Sequence, residues 1–191
     1  IRELIEAQAL ALGANAVIAT DLLDEVTGLV EWPVALTGSF EERYLQVPPE
    51  ALISSMKEHQ KYFHLVDSKG ELLPHFITVA NIESSDPQQV IAGNERVIRP
   101  RLSDAAFFFE TDKKTPLACR VASLSNIVFQ QKLGTLLDKT VRISQLAALL
   151  APDVGASVAF AQRAAELSKA DLVTDMVLEF ADMQGIAGSY Y

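Results

Sequence analysis

Arg96, Arg99 and Arg101 cluster around Pro100, and Lys113 and Lys114 follow one helix later. A guanidinium offers planar, paired donors that match a phosphate, and an ammonium adds a point charge. These five cations are therefore the candidate nucleic-acid-binding residues, suited to backbone phosphates, which position an RNA without its bases being read. Phe107, Phe108 and Phe109 lie between the two groups and could supply a stacking surface. Consecutive residues of a helix point about 100° apart, so the three rings cannot share one face, and two are expected in a core. The alternative is a surface network in which the same cations pair with Glu95, Asp104, Glu110 and Asp112. Spacing alone leaves both readings open.

Other chemistries have weaker support. His59, His64 and His75 are the only histidines. The last two fall in neighbouring predicted strands, and a shared metal site is conceivable. No carboxylate accompanies them at ligand spacing, so His59 is expected as a hydrogen-bonded residue near the core and the others as half-exposed strand residues. Asp171, Asp175 and Glu179 recur at i, i+4 and i+8. Such a stripe could hold a hard cation, but it is expected as a solvated face opposite Leu172, Met176 and Phe180. Cys119 is the single cysteine, which excludes an internal disulfide and any zinc site needing a cysteine pair. Phosphate-binding loops, dinucleotide fingerprints, zincin motifs and nucleophile elbows are all missing. No catalytic residue and no metal ligand is assigned.

The composition narrows the function classes further. Of 191 residues, 49% are hydrophobic and 21% charged, enough to bury a core, and the formal charge of −9 excludes a uniformly basic nucleic-acid binder. The average conceals an asymmetry. Residues 1–91 carry five basic and fourteen acidic side chains, residues 92–142 nine and five, and residues 143–191 two and six. A basic middle inside an acidic protein marks a local interaction surface. No apolar run is long enough to span a membrane and no secretory signal is visible, so a soluble cytoplasmic protein is expected. The chain opens on Ile1 already in helical periodicity, which reads as an internal piece of a longer polypeptide.

The elements that must carry these residues follow from periodicity. A first helix runs through Ile1, Leu4, Ile5 and Leu12, a strand covers Ala16 to Ala19, and a second helix starts at Asp21. Val34 to Phe40 and Tyr44 to Val47 read as strands. Pro48-Pro49-Glu50 starts a helix that reaches about Gln60. Tyr62 to Val66 and Leu73 to Ile82 form a hairpin across Asp67-Ser68-Lys69-Gly70. After Asp86-Pro87 the pattern is helical, with a break or kink expected at Pro100. Beyond Thr115-Pro116 three helices are expected at Ile143 to Leu150, Ser157 to Leu167 and Leu172 to Phe180. The fold class is thus an α+β domain, residues 1–114, followed by an all-α domain from residue 115 to 191.

Three strings are more specific than any of these patterns. They are Val47-Pro48-Pro49-Glu50-Ala51-Leu52-Ile53 running into Met56-Lys57-Glu58-His59-Gln60-Lys61-Tyr62-Phe63; Asn94-Glu95-Arg96-Val97-Ile98-Arg99-Pro100-Arg101-Leu102-Ser103-Asp104-Ala105 with Phe107-Phe108-Phe109-Glu110-Thr111-Asp112; and Lys169-Ala170-Asp171-Leu172-Val173-Thr174-Asp175-Met176-Val177. Together they resemble the beta subunit of bacterial heterotetrameric glycyl-tRNA synthetase, over essentially the whole chain. The resemblance implies that glycine is activated with ATP and Mg on a separate alpha subunit, and that the beta subunit binds and positions tRNA(Gly). It also implies that residues 1–114 are similar to the editing module of the phenylalanyl enzyme's beta chain. Residues from 115 would begin an HD-like helical domain, with the anticodon-binding region outside this chain.

Two departures limit what the resemblance carries. HD chemistry needs histidines, and residues 76–191 contain none. Editing has little purpose for glycine, because a site fitted to the smallest amino acid already excludes larger ones. The expected function is therefore a noncatalytic tRNA-positioning fragment that binds no cofactor itself. The alternatives are a subunit or domain interaction module, or an editing or phosphohydrolase-type hydrolase.

Overall fold

The computed structural model describes all 191 residues. They divide into two compact units, Ile1–Ala106 and Phe107–Tyr191. The division falls inside a long helix, whereas the sequence reading sets its boundary at the turn beyond that helix.

The first unit is built on a four-stranded antiparallel sheet of order β1-β3-β4-β2, with β1 at Asn15–Ala16, β2 at Val34–Ser39, β3 at Phe63–Val66 and β4 at Leu72–Ala80. Side chains alternate between the faces of a strand, so Phe63, Leu65 and Ile77 point together toward one side. There they meet Ile5 and Ala9 of α1 (Arg2–Ala11) and Leu22 and Val26 of α2 (Thr20–Leu29), a closed apolar cluster. The expected strand at Ala16 to Ala19 begins earlier and is shorter, pairing Asn15 with Val66 and Ala16 with Leu65.

The other face is organised around Phe76, fully buried and adjacent in β4 to Ile77. The chain leaves α3 (Pro49–Gln60) through Lys61, a non-glycine residue at φ 58°, and the Tyr62 N–H then donates to the Met56 carbonyl at 2.9 Å. That tight exit lays the Tyr62 ring on Phe76, with centroids 4.4 Å apart and planes 11° from parallel. The Tyr62 hydroxyl donates to Asn94 Oδ1 at 2.7 Å, and burial pushes its pKa up to about 12. Opposite Phe76 in the β2–β4 ladder stands Gly38, where a Cβ would come within 2.4 Å of the ring. Only glycine leaves room there.

Two expectations fail in this unit. The segment Tyr44 to Val47 is no strand; Glu42–Gln46 forms a 3-10 turn with Tyr44 buried. Pro48 and Pro49 follow it directly and have no N–H for a ladder. Pro100 does not break its helix either. The helix α4 runs unbroken from Pro87 to Asp112. Ile98, Leu102 and Ala105, all fully buried, fall on one stripe around the proline, so packing holds the helix through a residue that disfavours it.

The second unit is mostly helical, with α5 at Leu117–Arg120, α6 at Leu136–Leu150, α7 at Val158–Leu167 and α8 at Asp175–Glu179. It is not all-α. Val128–Gln130 and Gly134–Thr135 form a small antiparallel hairpin, β5 and β6. The hairpin delivers the chain to Thr135, whose hydroxyl caps α6 while Asp138 accepts from the Thr135 N–H at 2.7 Å, a complete capping box. The single helix expected at Leu172 to Phe180 is two pieces, a 3-10 turn at Ala170–Val173 and then α8.

Candidate nucleic-acid interface

On α4, Arg96 and Arg99 are exposed and stand about 60° apart around the helix axis, so they share a face. The Arg99 Nε donates to Glu41 Oε1 at 2.9 Å, which fixes the guanidinium on that surface while leaving half of it in solvent. The Glu41 carboxyl is held below its ordinary range, first by its own backbone N–H and then by the charges of Arg99 and Arg43. Arg101 differs. It is half-buried and about 140° from Arg96, toward the buried stripe of Ile98 and Leu102, so the three arginines do not form one face. Glu95, expected as a partner of these cations, instead accepts from the Ser39 N–H and hydroxyl, both at 2.9 Å.

In the second unit Lys113 and Lys114 are both exposed. Lys113 pairs with Glu110 at 3.0 Å and its ammonium lies 5.0 Å from the centre of the Phe109 ring. Of the aromatic trio, Phe109 is buried against Tyr190 and Tyr191, Phe108 is half-buried, and Phe107 is 64% exposed. One ring, not a three-ring surface, is presented to solvent.

The strongest polar constellation of this unit was not legible in the sequence. Asp112, the last residue of α4, is fully buried, and its Oδ1 accepts from Arg120 Nη2 at 2.9 Å. The same carboxylate takes the N–H groups of Asp175 at 3.1 Å and Met176 at 2.9 Å, the first turn of α8. The Tyr191 hydroxyl completes the set at 3.2 Å, and burial followed by the Asp112 charge drives its pKa upward. Arg120 also reaches the main-chain oxygens of Asp112 and Val173, at 3.2 and 3.3 Å. Every acceptor on Asp112 is used in holding loops together, so it is a structural hub. Sequence offered no signal for it, because its partners lie 8, 63, 64 and 79 positions away.

The expected carboxylate stripe is absent for the same reason. Asp171 lies in the 3-10 turn, buried, with Oδ2 accepting from the Gly185 N–H, while Asp175 and Glu179 are exposed on α8. It helps line a cavity of about 210 Å³ with Leu117, Ser168 and Gly188.

The histidines are dispersed. His59 is exposed at the end of α3, His75 pairs with Ser39 in the ladder, and His64 stands opposite Phe76. Because His64 pairs with Phe76, His75 falls on the other face of β4. His64 lines an open cleft of about 720 Å³ with Val47, Leu52, Val66 and Leu72. Burial, with the charge of Lys57, lowers its pKa from the ordinary 6.5, so it is neutral at pH 7. No group of three His, Cys, Asp or Glu side chains is placed to hold a metal ion. Cys119 is exposed, not a core residue. No helix is long and apolar enough to cross a membrane.

An α+β unit with a tethered arginine pair, followed by a helical unit whose buried carboxylate serves structure, defines a protein of binding and scaffolding type. Comparison with known sequences identifies its relatives. The family described as "Glycyl-tRNA synthetase beta subunit" matches residues 1–191, and the chain belongs to that family. It is 63% identical to the "Glycine--tRNA ligase beta subunit" of Chromohalobacter salexigens and 63% identical to that of Marinobacter nauticus, with the whole chain aligned in both. The corresponding protein of Hahella chejuensis is 61% identical, again over the whole chain. In each case the chain spans 28% of the relative's length.

Proposed function

We propose that this chain is the part of a glycine–tRNA ligase beta subunit that holds tRNA(Gly) in place during ATP-dependent glycylation in the cytoplasm. The chemistry is assigned to the alpha subunit of the heterotetramer, which uses ATP and Mg; this chain brings neither a phosphate-binding loop nor a metal-ligand cluster to that step. The observation that carries the reading is the exposed face of α4 bearing Arg96 and Arg99, in the one stretch of the chain with a basic excess. Lys113 and Lys114 are further phosphate contacts in the second unit, and Arg101, half-buried, adds to the local positive field more than to direct contact. The first unit stands as a counterpart of an editing module and the second as an HD-like fold without its histidines. Neither is assigned hydrolytic activity, since their buried carboxylates bind loops.

The test is steady-state glycylation by the full enzyme carrying Lys113→Ala and Lys114→Ala. The KM for tRNA rises several-fold, while glycine-dependent ATP–pyrophosphate exchange is unchanged. An unaltered KM overturns the assignment. If exchange falls together with the sedimentation coefficient of the enzyme, the cations instead serve subunit assembly.

A further inference from the structure

Between Arg142 and Arg163 the only charged side chain is Asp153, across the twenty residues Ile143 to Gln162. They form the second half of α6, the 3-10 turn Pro152–Val154 and the first half of α7. A helical hairpin that faced water on its outer side would carry charges there. This one does not. Leu146, Leu149 and Leu150 follow i, i+3, i+4 spacing on one side of α6 and are 56%, 71% and 49% exposed. Val154 and Phe160 continue the series at 77% and 80%. The leucines are not needed to join the two helices, because small residues, Ala151 and Ala165 among them, are the ones buried here. Isolated apolar residues on a surface are ordinary, but a sustained run of this kind marks an interface.

The charge around it restricts the occupant. Residues 143–191 carry two basic and six acidic side chains, which repels both an anionic lipid surface and a nucleic acid. The surface fits an apolar helical face bordered by cations. The polypeptides this chain resembles are much longer, for it spans 28% of each. We infer that in the full-length beta subunit the α6–α7 hairpin is covered by another segment of the same polypeptide, an apolar helical face with a basic rim. The contact is an intramolecular domain interface that ties this part of the chain to the remainder of the subunit.

Hydroxyl-radical footprinting of the full-length beta subunit, alone and with its alpha partner, tests this. In the lone subunit Leu149 and Phe160 are oxidised several-fold more slowly than in the denatured chain, at every protein concentration, and adding the partner changes nothing. Rapid oxidation in the lone subunit, relieved only by the alpha partner or only as concentration rises, assigns the face to another chain and overturns the inference. Rapid oxidation under all conditions overturns it too. Thiol labelling of a Phe160→Cys subunit gives a second reading, slow if the segment covers it and fast if nothing does.

Discussion

Asp112 shows how much one buried carboxylate organises. Its charge is balanced by Arg120 at 2.9 Å and its remaining acceptor capacity by two N–H groups of α8 and the Tyr191 hydroxyl. Removing the side chain strands a largely buried guanidinium and the α8 amides together. Asp112→Ala is therefore expected to lower stability by about 3–5 kcal/mol, the cost of breaking a buried pair from one side. Asp112→Asn keeps an acceptor but not the charge and loses less. Urea unfolding of both variants, followed by a probe in the second unit, checks the ranking. The sequence could not disclose this hub. It names Asp112 only as one acid among several near a basic cluster, and a carboxylate whose partners are dispersed along the chain looks like a surface residue. Asp171 was misread for the same reason: i, i+4, i+8 spacing aligns carboxylates only if one helix carries all three, and the helix begins after Asp171.

At the level of elements, periodicity was a good guide where a segment packs on one face and a poor one where geometry depends on neighbours. The helices α1, α2 and α3 and the hairpin of β3 and β4 were all legible, because each has an apolar stripe or alternation of the right period. The short hairpin of β5 and β6 was not, since Val128, Phe129 and Gln130 are exposed and carry no burial pattern. Gly134 was read as a boundary, and the structure shows why: its φ is +83°, and a Cβ there would strike Asp138 of the α6 cap. Pro100 was expected to end a helix that tertiary packing in fact preserves. The α6 cap has a measurable weight. Thr135→Ala removes the hydroxyl that accepts from the Asp138 N–H at 3.2 Å and is expected to cost about 1 kcal/mol, visible as a lowered thermal midpoint with α6 amides exchanging faster. Thr135→Ser, which retains the oxygen, is expected to restore most of that loss.

For the molecule as a whole, charge distribution says more than net charge. A chain at −9 is a poor candidate for RNA binding until its basic excess is found within residues 92–142. The α+β character of the first unit and the family were legible in the sequence, the latter from ordered strings such as Asn94 to Asp112. Which of the arginines share a face was not, because an uncertain kink at Pro100 left the phase of the helix beyond it undefined. The continuous α4 fixes that phase and separates Arg96 and Arg99 from Arg101. The account's central claim is that this pair contacts RNA phosphates. The most direct measurement is the salt dependence of tRNA(Gly) binding by the full enzyme carrying Arg96→Ala and Arg99→Ala. Each phosphate contact contributes about 0.7–0.9 to the slope of log K against log salt, so the double variant is predicted to flatten it by about 1.5. A slope identical to that of the unaltered enzyme, at the same tRNA and pH, contradicts the account.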